Sequence, residues 1–131
     1  MATIATEAKR LSNVVKQELW PETGYCRGVI VYNGAAGTLV PGTVLGKVTA
    51  TGKYQVSVQT AVDGSETPAA IVMTETVAAA TTDTNVLSLV KGPAIVSKSG
   101  LVLDASFDQA AELAAVYAAF EALGIACNDA V

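Results

Sequence analysis

The sequence predicts a mainly β fold: a compact barrel or clip-like domain with an extended N-terminal arm and one C-terminal helix. Three observations predict it. Short apolar runs rich in Val, Ile and Thr recur at close spacing, divided by Gly, Pro and Asn turns. The apolar content is small and β-branched, with 23 Ala, 18 Val and 14 Thr among 131 residues and aromatics at 5%. Only one stretch, near the C-terminus, carries helix caps together with a helical apolar face. A hydrophobic share of 51% excludes a disordered chain, and the length fits one domain.

Residues 1–20 stand apart. They hold Glu7, Lys9, Arg10, Lys16 and Glu18, while Leu11, Val14, Val15 and Leu19 fall at helical spacing. That spacing permits a short helix ending before Pro21, since the residue preceding a proline avoids the α region. The segment reads as a frayed terminus or as an arm that orders on a partner.

Gly28–Tyr32 (GVIVY) is a β-rich run closed by Asn33-Gly34, with apolar residues on both faces as in a strand covered on both sides. Thr43–Ala50 and Lys53–Thr60 flank Thr51-Gly52 and form the clearest hairpin signal. In its second strand Tyr54, Val56 and Val58 alternate with Gln55, Ser57 and Gln59, predicting one buried and one wetter face.

Asp63-Gly64-Ser65 is a turn. Ala69–Thr74 is apolar, and 78–85 is small and polar, hence a loop. Asn85–Val90, Ala94–Ser97 and Leu101–Leu103 read as short strands, punctuated by Lys91-Gly92-Pro93 and Ser99-Gly100. In the helix that follows, Ser106 with Gln109 has capping-box spacing, Asp104 is the competing cap, and Gly124 sits at C′. Leu113, Val116, Tyr117 and Phe120 share one face. Ala111, Ala115, Ala118, Ala119 and Ala122 form the other, which reflects either helix propensity or a close-packed subunit contact.

The same arithmetic narrows function. There is no histidine, so Ser-His and Cys-His nucleophile pairs, histidine zinc ligands and imidazole switches are excluded. A net charge of −4 and a pI near 4.6 leave no footprint for nucleic acid. No membrane helix is read, because Asn33, Gly34, Gly37, Pro41 and Gly42 interrupt the uncharged stretch, and no signal peptide is read at the N-terminus. Cys26 and Cys127 are expected as two reduced, half-buried thiols.

Gly46-Lys47 and Gly52-Lys53 belong to turns rather than phosphate loops. Asp63, Glu66, Glu75 and Asp83 read as solvated charge, and Ser97-Lys98-Ser99 is too weak for a catalytic dyad. No catalytic residues, metal site or cofactor are expected. Charged residues are only 15%, against a usual ~25%, so some apolar surface is expected to meet a partner.

At GTVLGKVTATGKY (Gly42–Tyr54) the chain resembles the lambdoid phage head decoration proteins, also called capsid cement or stabilisation proteins. The resemblance continues through DGSETPAAIV (Asp63–Val72), VKGPAIVSKSGLVLD (Val90–Asp104) and FEALGI (Phe120–Ile125), and covers roughly residues 8 to 126. It implies a β-clip-like or β-tulip-like domain assembled as a homotrimer. Such trimers sit on the outer surface of the expanded head at three-fold and quasi-three-fold positions and clamp it against internal DNA pressure.

The resemblance further implies an N-terminal capsid-docking arm over 1–31 and a decoration domain over 32–131. The arm would add a strand to the major capsid protein. Its candidate docking residues are Leu11, Val14, Val15, Leu19, Trp20, Tyr25, Cys26, Arg27, Gly28, Val29, Ile30 and Val31, with Tyr25–Val31 as the added strand. Candidate trimer contacts are Pro41, Pro68, Ala111, Ala115 and Ala118. The partners are then the capsid protein and the chain itself, with no nucleic acid and no membrane. The protein would be made in the host cytoplasm and carried on the virion. Two other readings stand beside this one: a trimeric β-clip nucleotide hydrolase, and a displayed ligand- or host-binding module.

Overall fold

The structure is a computed structural model that describes residues 14–19 and 24–128. In chain order the strands are β1 (Val15–Glu18), β2 (Arg27–Tyr32), β3 (Gly37–Leu39), β4 (Val44–Lys47), β5 (Tyr54–Val56), β6 (Pro68–Val72), β7 (Thr76–Ala78), β8 (Thr84–Leu89), β9 (Ala94–Ser97) and β10 (Ile125–Asn128). A 3-10 turn over Lys98–Gly100 and the helix α1 (Ala110–Ala122) lie between the last two. The fold is mainly β with one helix near the C-terminus, as the sequence predicts.

Five strands close into a barrel in the order β2-β5-β4-β6-β8. A barrel of so few strands has a narrow interior that side chains must fill. Ile30, Tyr32, Leu45, Ala70, Val72 and Val86 fill it, all buried. This explains a composition of Ala and Val rather than larger residues. Leu45 is fully buried, which stabilises the fold by roughly 1.5–3 kcal/mol. The hairpin read at Thr51-Gly52 joins β4 to β5, with Leu45 opposite Val56 and Lys47 opposite Tyr54. Val48 N–H donates to the Lys53 carbonyl and Gly52 N–H to the Val48 carbonyl, both at 2.8 Å.

β4, β6 and β8 also face outward into a second apolar cluster. Val44, Ile71 and Leu89 meet Val14, Cys26, Val96, Val116, Phe120 and Ile125 there. α1 packs on β10 and β6 through Val116 and Phe120. A second sheet, β1-β9-β10, borders this cluster, and a two-stranded ribbon pairs β3 with β7. β9 is the centre of its sheet. The Ser97 N–H donates to the Val14 carbonyl on one side, while Ser97 faces Asn128 on the other.

Several expectations are corrected. Val15–Glu18 is an edge strand rather than a helical turn, because pairing with Val96, Ile95 and Ala94 outweighs its local spacing. β2 is covered on one face only: Ile30 and Tyr32 point in, while Val29 is 67% exposed. Ser57, expected on the wet face, is buried, because the strand ends at Val56 and the Ser57 hydroxyl turns in to donate to the Ser65 carbonyl at 2.7 Å.

Leu101–Leu103 makes a single bridge, Val102 to Thr43, and no strand. The helix is capped by Gln109, not Ser106. The Glu112 carboxylate accepts from the Asp108 and Gln109 N–H groups, while the Ser106 hydroxyl accepts from the Gln59 N–H at 3.0 Å. Gly124, at φ +84°, is the C′ residue as expected.

Candidate functional site

Among the described residues no group of three or more His, Cys, Asp or Glu converges to hold a metal. The loop acids serve their own turns. Asp63 accepts from the Ser65 hydroxyl and N–H and from the Gln55 amide, and these bonds hold its carboxyl below the usual range. Asp83 accepts from the Asn33 amide at 2.6 Å and from Lys53 at 2.9 Å, with the same effect. Ser97 and Ser99 share a hydroxyl bond of 2.9 Å, and the Lys98 ammonium lies 4.6 Å from the Tyr117 ring centre.

Both cysteines are free. Cys26 is fully buried rather than half-buried. Cys127 is half-buried, and desolvation pushes its thiol up. A neutral thiol is a weak nucleophile.

What the described surface offers is edges and faces. β1 is the outer strand of its sheet, with Lys16 and Gln17 exposed. Of the predicted docking residues, Leu11 and Trp20 lie outside the described residues. Val14 is buried, Val15 and Leu19 are half-buried at the root of β1, and Tyr25 is exposed beside Lys91, 4.4 Å from its ring centre.

Arg27 through Val31 are corrected in place. They form the barrel strand β2, paired with β8 along its whole length from Arg27–Leu89 to Tyr32–Thr84. A strand already bonded within its own barrel cannot swing out as the added strand. Arg27–Val31 thus belong to the barrel and not to a segment outside it. Gly28 packs against Val90, and Ile30 is core.

The predicted trimer contacts divide in two. Pro41 and Pro68 are buried within the chain, Pro68 as the first residue of β6, so they present no surface to a second copy. Ala111, Ala115 and Ala118 are exposed on α1, opposite the buried Val116 and Phe120.

Besides the ribbon strands β3 and β7, two features went unread in the sequence. One is the ion pair between Glu18 and Arg27: the guanidinium Nε lies 3.1 Å from both carboxylate oxygens, and Nη2 also reaches Oε1. The carboxylate in turn raises the pKa of the guanidinium. Its only sequence signal is opposite charge on either side of Pro21. The other is β10, signalled by Ile125 directly after the C′ glycine.

A closed barrel flanked by open strand edges and a bare alanine helix defines a module organised around its surfaces. Residues 4–125 match the family model described as bacteriophage lambda head decoration protein D. The chain belongs to that family of structural phage head proteins and is a capsid component of the virion. No curated protein matches the chain.

Proposed function

We propose that the protein is a cement protein of the expanded phage head, binding as a homotrimer to its outer surface at three-fold and quasi-three-fold positions. The N-terminal segment leading into β1 contacts the major capsid protein by strand addition. The alanine face of α1 supplies part of the subunit contact. Trimers made in the host cytoplasm bind only after expansion, and so stabilise the expanded shell by mass action against internal DNA pressure. Three arms on one trimer raise effective concentration, so avidity exceeds single-arm affinity by roughly 10²–10⁴.

The observation that carries this reading is the family match over nearly the whole chain. The surface supports it: β1 offers an edge to which a strand can add. An acidic chain, with a net charge of −4, suits a partner that is protein rather than nucleic acid. No catalysis is needed. The hydrolase alternative would want phosphate-binding arginines, and Arg27 is already engaged by Glu18.

The test is to mix purified protein with expanded and unexpanded empty heads and image both. Density at three-fold positions on expanded heads alone is expected. Full occupancy by a variant lacking residues 2–13 would overturn the arm. Equal melting temperatures for bare and decorated heads would overturn the stabilising role.

A further inference from the structure

β1 is an outer strand anchored at both ends: Val14 is buried in the core with Val15 against it at one end, and Leu19 packs on the same cluster at the other. It is a four-residue edge strand whose register slips between Val15 and Gln17. Its middle residues, Lys16 and Gln17, are exposed. At its C-terminal end the Glu18 carboxylate, with only 6% of its side chain exposed, receives the fork of Arg27. Arg27 opens β2 and is itself fixed opposite Leu89 in the barrel. Beside the pair, the Leu19 N–H donates to the Pro93 carbonyl at 3.0 Å. The buried Cys26 thiol lies against the Leu19 and Pro93 carbonyls at 3.7 and 3.5 Å.

We propose that Glu18 and Arg27 form a clasp that decides whether β1 stays on β9, making the strand a releasable strap. A short edge strand, paired on one side alone, can open locally below the free energy of global unfolding. Here a charge-assisted, forked bond ties the C-terminal end of the strap to the barrel. Removing either partner leaves the other's charge poorly solvated. With the strap down, the chain is held from Val14 onward. With it released, the first hold is Cys26, buried and bonded through its carbonyl to the Val90 N–H, twelve residues later, which lengthens the reach of the preceding segment by at most about 40 Å. That use of the reach rests on the proposed docking role. The clasp itself is a property of the free protein.

Amide hydrogen exchange on the free full-length chain tests it. Leu19 and Ser97 report on the strap, since their N–H groups are bonded to Pro93 and Val14 across it. Val44 and Val72, bonded to Val102 and Thr43, report on the barrel. Arg27→Gln and Glu18→Gln are each expected to speed the strap amides about tenfold or more relative to the barrel amides. The double variant is expected to be no faster than the faster single, as for partners in one interaction. Strap amides that track the barrel amides, or effects that multiply in the double variant, overturn the clasp. If Arg27→Gln does not fold, Arg27→Lys keeps the charge, loses the fork and is read in the same way. Exchange is read without heads, so this result and that of the head-binding experiment are independent.

Discussion

The backbone of Gly92 lies against the carbonyl of Gly124, so close that a Cβ on Gly92 would stand 1.7 Å from that oxygen. Around this contact the Gly92 N–H donates to the Leu123 carbonyl at 2.9 Å and the Ala94 N–H to the Gly124 carbonyl at 3.3 Å. The end of α1 is thereby fixed to the start of β9. Gly92→Ala is expected to lower stability by about 3 kcal/mol, at the upper end for overpacking, because only backbone could move aside. Thermal unfolding would then fall by roughly 10 °C. An unchanged melting temperature would refute the contact.

Ser88 is fully buried on β8, and its hydroxyl has no hydrogen-bond partner among the described residues. A buried hydroxyl left unpaired is a net loss. Ser88→Ala is expected to raise stability by about 1 kcal/mol, measured as a higher urea midpoint at constant slope. A clear drop would show that the hydroxyl does have a partner.

Ala115 is exposed on α1, and surface substitutions away from special features change stability by about 0.5 kcal/mol or less. Ala115→Arg is therefore expected to leave the fold intact while weakening the proposed trimer, as read by sedimentation. A full trimer population at unchanged concentration dependence would remove the alanine face from the interface.

Asp63, Asp83 and Asp104 all have carboxyl pKa values lowered in the folded protein, chiefly by side-chain hydrogen bonds from Ser65, Asn33 and Ser106 respectively. The unfolded chain then binds protons more readily than the folded one. Their contribution to stability is present above the unfolded carboxylate value of about 3.9 and is lost as pH falls through the lower folded values. Replacing all three by Asn should flatten the acid limb of stability against pH, followed by urea midpoints between about pH 6 and pH 2. Asp63 and Asp83 are exposed and Asp104 is half-buried, so the solvent-screened effect is small. An acid limb as steep as the parent's would overturn the assignment.

The two thiols should separate by access. Cys26 is fully buried and is expected to resist alkylation until the protein unfolds. Cys127 is reachable, but its thiol is pushed up by burial, so its modification should accelerate only as pH rises past the ordinary thiol range. Mass spectrometry of partly alkylated protein would show this order, and early labelling of Cys26 would contradict it.

How much of this was legible follows from the range of each signal. The hairpin could be read because Thr51-Gly52 sets its own turn, and β9 was read at its true ends, Ala94 and Ser97. α1 could be read from its C′ glycine and apolar face, but not its N-cap, which is Gln109 because the Ser106 hydroxyl is engaged by the Gln59 N–H. By contrast, GVIVY announces a strand but not its neighbour. Val29 pairs with Leu87, far away in sequence, so nothing local distinguishes a barrel strand from an arm that adds to another protein. Val14 and Val15 carry an ambiguous period that Val96 resolves. Pro41 and Pro68 look like surface turn residues, yet a proline suits the first position of a strand even in a barrel.

Ser97 sits between Val14 and Asn128, and that placement has a mechanical consequence. The two flanking strands run in opposite directions, so the described body begins and finishes at one end of the same sheet, only about 10 Å apart. A force pulling these two points apart acts across the strands. It opens the ladders on either side of β9 one hydrogen bond at a time, as a zipper opens. A force borne by the barrel meets a ring with no free edge at which to start.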